Sequence, residues 1–175
     1  MKSQLPRLSE ATAAFVASEK KILIGGDWRR PGGAGAVDCI DPSTGETITA
    51  FSPASAEDVD AAIDAARVSF ERSVWRDLPP AERAKRLWRV AELIDLNRRD
   101  LAELESIDGG KPFAAALNGE APAAAEAFRY HAGWCARIAG ETFKPSVQGL
   151  DLEGVTRLEP VGVAGLITPW NGPLV

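Results

Sequence analysis

The sequence predicts an α/β chain in the order sheet, helices, sheet, and three observations carry that expectation. Short alternating runs broken by turn residues fill positions 21–53. Apolar residues at helical spacing dominate positions 54–144. A run that is apolar without alternation, "VGVAGLIT" at 161–168, reads as a strand buried on both faces. The expected organisation is an N-terminal tail (1–20), antiparallel strands (21–53), a helical part (54–144), a linker with one strand (145–160) and the final strand with its corner (161–175).

The tail holds Lys2 and Arg7, then the apolar patch "ATAAFVA". Ser9 and Glu10 interrupt any approach to the patch, and it is short for a signal sequence, so it reads as a short helix or a loose tail. "KILIGGDWR" reads as strand, Gly-Gly-Asp turn and strand, and "PGGAGA" as a loop. "VDCIDPSTGETITAF" reads as a second hairpin: Asp41-Pro42 starts its turn and Gly45 supplies the residue most tolerant of positive φ.

Three main helices come next. Ser55, three residues before Asp58, marks a capping box, and Val59, Ala62, Ile63, Ala66 and Phe70 repeat at helical spacing. Pro79-Pro80 opens the second helix. Its stripe is Leu87, Val90, Ala91, Ile94, Leu101 and Leu104, and Gly109-Gly110 stops it. The third runs from about Ala121 to Ile138 with the stripe Ala124, Phe128, His131, Cys135 and Ile138. "KPSVQGLDLEG" is linker-like, and "VTRLEP" is a strand with Arg157 and Glu159 exposed. The last strand, 161–168, has no parallel partner in the sequence, so the fold reads as incomplete.

The chain has 175 residues, 45% hydrophobic and 26% charged, which is enough for one domain with a core. A net charge of −5 excludes nucleic acid and anionic membrane surfaces as partners, because both require a basic face. No apolar run approaches the roughly 20 residues of a membrane span. The two cysteines, Cys39 and Cys135, form neither a disulfide framework nor a metal spacing, which fits a reducing cytoplasm.

Several residues tempt a functional reading. Cys135 lies on an apolar helical stripe and Cys39 on a strand face, so both read as small buried hydrophobes. His131, the single histidine, lacks companions at ligand spacing and reads as a core or interface residue. Lys111 in "GGKP" resembles a phosphate loop only superficially. A helix end, with Gly109-Gly110 as cap, Lys111 near the negative pole and Pro112 as stop, accounts for it better. Glu82 and Arg86 read as a surface pair. The five tryptophans read as core or interface anchors.

The stretch with the strongest chemical content is Pro169-Trp170-Asn171-Gly172-Pro173. It lies at the carboxyl end of the expected buried strand, where open α/β sheets bind ligands. Two prolines restrain it. Asn171 can offer an amide N–H to a developing oxyanion, and Ile167 to Trp170 can line a cofactor groove. The plainer alternative is a tight turn that Asn171 caps, and on physics alone that alternative is favoured.

The chain resembles the N-terminal part of the NAD(P)-dependent aldehyde dehydrogenases. The matching stretches are "ILIGGDWRR", "IDPSTGETI", "SAEDVDAAIDAARVSF", "LAELESIDGGKP", "FRYHAGWCARIAGE" and "RLEPVGVAGLITPWNGPL", in family order over about 21–175. The resemblance implies the N-terminal part of that family's fold: an antiparallel oligomerisation sheet, three main helices and the first strand of a Rossmann-like cofactor domain. It implies oxidation of a small-molecule aldehyde to a carboxylic acid with NAD or NADP, through a cysteine thiohemiacetal and thioester, in a homo-oligomer. Asn171 matches the oxyanion-hole asparagine, and Ile167, Thr168, Pro169 and Trp170 match positions lying against the dinucleotide. The segments at 21–51 and around 155–160 match the oligomerisation region. The nucleophilic cysteine, the glutamate base, the cofactor-contacting lysine and the glycine-rich turn belong to later parts of the family's sequence, so the 175 residues alone are expected to be inactive. Gly172 departs from a bulky aromatic, His131 from tyrosine, and Gly109 from asparagine. Two other readings stand beside this one: an assembly module pairing its strands with a full-length dehydrogenase, and a globular domain without a site.

Overall fold

The computed structural model describes residues 8–175. Lys2 and Arg7 lie outside the described residues. Helix α1 spans Glu10–Ala17, so the N-terminal patch is a helix rather than a loose tail. Its anchoring is polar. Ser9 caps it, with Oγ accepting the Thr12 N–H at 3.1 Å, and donates its own N–H to Glu103 Oε2 at 2.8 Å and its hydroxyl to Asp100 Oδ1 at 2.6 Å. Thr12 and Glu103 are buried at this contact. Burial alone would raise the Glu103 carboxyl, but the Ser9 N–H, the Thr12 hydroxyl and the Arg99 guanidinium outweigh it and hold it below its ordinary value.

Both expected N-terminal hairpins form, each as its own two-stranded ladder. Strands β1 (Ile22–Ile24) and β2 (Asp27–Arg29) pair antiparallel around Gly25 and Gly26, whose φ of 62° and 98° match the turn that suits strand twist. Strands β3 (Val37–Ile40) and β4 (Thr47–Phe51) pair antiparallel with a register shift at Cys39/Ile40. In their turn the buried Asp41 carboxylate accepts the Ser43 N–H at 2.7 Å.

Helix α2, Ala56–Glu71, carries the full capping box of Ser55 and Asp58. The Asp58 carboxylate also accepts the Gly32 N–H at 2.7 Å, which ties the preceding glycine loop to the helix start. The expected second helix is two: α3, Pro80–Leu96, and α4, Arg98–Gly109. Asn97 breaks it at φ −101°, its side-chain amide donating back to the Leu93 carbonyl at 2.7 Å. Such local side-chain bonds compete with helix continuation. Glu82 pairs with Lys85 at 2.7 Å rather than with Arg86.

A single helical turn, Phe113–Ala115, and a π-turn, Ala116–Glu120, lead into α5, Ala121–Trp134. The Arg98 guanidinium donates to the Leu117 carbonyl at 2.6 Å within that π-turn. Helix α5 packs chiefly on α3. The contact is built from small residues: Ala121, Ala124, Ala125 and Ala132 are buried, as is Ala91 of α3. This corrects the expected stripe. Ala124 and Cys135 face inward, but Phe128, His131 and Ile138 are exposed. The alanine face packs closest, and a π-turn shifts the helical phase ahead of it.

Strand β5 (Thr142–Phe143) pairs antiparallel with β6 (Gly154–Val155). Of the strand expected at 155–160, Val155 pairs in the ladder and Thr156 donates its N–H to the Glu141 carbonyl at 2.8 Å. Residues 161–168 carry the apolar run but form no ladder among the described residues. Val161 and Ile167 are 95% and 101% exposed, so the run is not yet a buried strand. A strand exists through the bonds of its neighbours, and no neighbouring strand is present here to pair it.

Candidate functional site

The Pro169–Pro173 corner forms an irregular turn. The turn that follows it, 172–175, is closed by a main-chain bond from the Val175 N–H to the Gly172 carbonyl at 3.2 Å, and the Asn171 side chain closes neither. Asn171 is exposed, so its amide stands open to solvent rather than capping the turn. Trp170 and Ile167 are exposed beside it, while Gly172 lies in unstrained backbone with open space around its α-carbon. Ile167, Thr168, Pro169, Trp170 and Asn171 thus share one continuous exposed segment.

The exposed Pro173 and the half-buried Leu174 end the corner beside a groove. Pro173 and Leu174 line an apolar groove of about 310 Å³ whose walls are α1, the β3–β4 hairpin and α4, with Phe15, Phe51, Leu101 and Leu104 among its residues. Its polar lining residues are Lys20, Cys39, Thr49, Glu105 and Asp108.

Cys39 is no activated nucleophile. Its thiol donates to Asp108 Oδ1 at 3.0 Å, and burial together with that carboxylate pushes its pKa up to about 11. A protonated thiol is a poor nucleophile. Cys135 is buried and donates to the His131 carbonyl at 3.6 Å, in keeping with a small packed residue. His131 meets Tyr130 edge-on at 5.3 Å. Among the described residues no group of three or more His, Cys, Asp or Glu side chains is placed to hold a metal.

Lys111 follows a helix end capped by Gly110, and the partners of its ammonium are side chains rather than helix carbonyls. Gly110 takes the left-handed conformation at φ 69° that ends α4. Lys111 Nζ then lies 2.5 Å from Glu105 Oε1 and 3.2 Å from Glu120 Oε2. The bond to Glu105 leads in raising its pKa, and the ammonium is shared between two carboxylates. Sequence reasoning missed Glu105. The signal was present: an acid at 105 lies on the helical face of Leu101 and Leu104, where an unpaired charge is untenable.

Comparison with known proteins defines the class. The profile of the aldehyde dehydrogenase family matches residues 28–175, and the chain belongs to that family. DhaS of Bacillus subtilis (strain 168) is 38% identical over 175 residues, covering 100% of this chain and 35% of that protein. The aldehyde dehydrogenase of Bacillus cereus, solved as its E194S mutant, superposes with a TM-score of 0.88 at 38% identity over 98% of this chain and 34% of that one. The NAD+ complex of the B. cereus enzyme gives 0.76 at 36% identity over 82% of this chain and 29% of that one. The chain therefore spans about a third of the length of the relatives it matches.

Ile167 and Trp170 present apolar side chains to solvent. A glycine-rich cradle for the pyrophosphate is not among these residues.

Proposed function

We propose that this chain is the N-terminal portion of an enzyme that oxidises an aldehyde to a carboxylic acid with NAD or NADP, and that Asn171 is its oxyanion donor. The observation that carries the reading is the family match running through the Pro-Trp-Asn-Gly-Pro corner, together with an Asn171 amide left open beside it.

In this reading a cysteine thiolate, contributed from outside these residues, adds to the aldehyde carbon and the carbonyl oxygen becomes negative. The Asn171 side-chain N–H donates to that oxygen, and its worth depends on being held before the charge develops. The bound NAD(P)+ accepts the hydride that leaves the same carbon, and a thioester results. Water, activated by a glutamate also contributed from outside, releases the acid and restores the thiol. Ile167, Thr168, Pro169 and Trp170 line the cofactor's path. The segments 21–53 and 145–160 serve oligomerisation, 54–144 is the helical part of the cofactor domain, and 161–168 becomes its first strand once a neighbour pairs with it. Two unpaired cysteines support placing the enzyme in the cytoplasm. The 175 residues alone, without the nucleophile and base, turn nothing over.

The test is to sequence the transcript past the codon for Val175, express its product, verify its intact mass and follow reduction of NAD+ and NADP+ with a simple aldehyde. Turnover is expected from a longer product, and Asn171→Ala should lower kcat by about 10²–10³-fold. A longer product without turnover overturns the activity, and an unchanged kcat in Asn171→Ala overturns the role of that residue. Turnover by the 175-residue polypeptide above a no-protein control overturns its predicted inactivity.

A further inference from the structure

The groove that Pro173 and the half-buried Leu174 line has a buried acid among its other lining residues. Leu101, Leu104, Glu105 and Asp108 of α4 all line it. Glu105 is only 3% exposed, and a carboxylate so placed persists only with a partner. That partner is Lys111, held in three ways. Its ammonium meets Glu105 at 2.5 Å and Glu120 at 3.2 Å, and its carbonyl accepts the Ser106 hydroxyl at 2.7 Å. The left-handed turn at Gly110 brings the chain back so that this contact closes. Asp108 is satisfied separately, by the Cys39 thiol.

We propose that the Lys111–Glu105 ion pair is a positioning device for Asn171: it neutralises the buried acid of the groove so that Pro173 and Leu174 stay seated, and so holds the amide two residues upstream of Pro173. This rests on the reading of Asn171 as the oxyanion donor. Loss of the ammonium alone leaves a buried carboxylate that regains solvation only by drawing water into the groove, and an apolar segment loses its seat where water enters. Loss of both charges has the opposite outcome, because apolar residues of similar size can replace a buried pair without penalty. Glu120, half-exposed, then stays solvated.

The experiment uses the full-length enzyme, with Lys111→Met, the double variant Glu105→Leu/Lys111→Met, and Glu105→Gln. Two quantities are read: amide hydrogen exchange at Leu174 and Val175, and kcat with KM for NAD+. Lys111→Met should speed exchange at those amides and lower kcat on the order of tenfold to a hundredfold, as a displaced catalytic group does, with little change in KM. The double variant should restore both quantities, and Glu105→Gln should fall between. Should Lys111→Met fail to fold, the other two variants carry the test. A double variant as impaired as Lys111→Met, or exchange unmoved in every folded variant, overturns the inference. Unmoved exchange while Asn171→Ala still lowers kcat overturns this inference alone. Exchange that responds while kcat does not overturns the reading of Asn171 and the positioning role with it.

Discussion

Gly110 is required twice, by conformation and by space. Its φ is 69°, and a β-carbon there would sit 2.7 Å from Pro42 Cγ in the β3–β4 turn. Gly110→Ala should destabilise the fold by about 1–3 kcal/mol, read as a lower urea midpoint at unchanged slope; an unchanged midpoint would show that the turn and hairpin yield freely. Cys39 makes a second prediction at this scale. Burial first, then Asp108, raise its thiol from an ordinary 9.0 to about 11, so the protonated form is favoured in the folded state. Its contribution to stability is therefore fully present below 9.0 and lost as the pH rises through about 11. Alkylation by iodoacetamide at neutral pH should be slow in the folded protein and faster in Asp108→Asn; equal rates would contradict the role of the carboxylate. The sequence made the glycine cap and the buried Cys135 legible, whereas Cys39, expected to be buried, is half-buried and donates to Asp108. The sequence did not reveal Glu105 with Lys111 or the exposure of His131, which depend on how α4 and α5 are turned.

Among the elements, α2 has the most readable start and the least coverage. Ser55 and Asp58 cap it as the spacing predicted, yet none of its residues is buried. With so little packing, capping carries a larger share of its stability. Ser55→Ala should cost about 0.5–2 kcal/mol, seen as lost helicity and faster amide exchange over 56–62, and unchanged exchange there would refute it. The Gly32 N–H, then the Ser55 N–H, hold the Asp58 carboxyl below its ordinary value. Its contribution is thus present above the ordinary carboxylate pKa and lost as the pH falls through the lowered one. Acid titration should release exchange protection at the α2 start, and Asp58→Asn should remove that pH dependence. The break at Asn97 was missed although asparagine's back-bonding is a local signal, because the apolar period continues across it. The π-turn before α5 left no comparable mark.

At the scale of the whole molecule, apolar residues remain uncovered on several elements: Val59 on α2, Leu96 at the end of α3, and Val161, Leu166, Ile167 and Trp170 in the final segment. Apolar exposure on this scale marks surfaces meant to be covered. The 175-residue polypeptide alone should bind a hydrophobic dye and associate as its concentration rises, and Leu166→Asp with Ile167→Asp should reduce both. A dye-silent monomer at high concentration would contradict this. The sequence by itself determined the hairpins, the starts of α2, α3 and α5, the glycine stop and the family, because these rest on turn chemistry, capping and short-range periodicity. The tertiary structure alone decided which face of α5 is buried, that α1 is anchored through Asp100 and Glu103, and that Lys111 neutralises an acid beneath the corner. Those outcomes depend on contacts between residues distant in sequence. The same reason explains the run at 161–168: its composition announces a buried strand, but pairing and burial are supplied only by neighbours, and alone it stays extended and exposed.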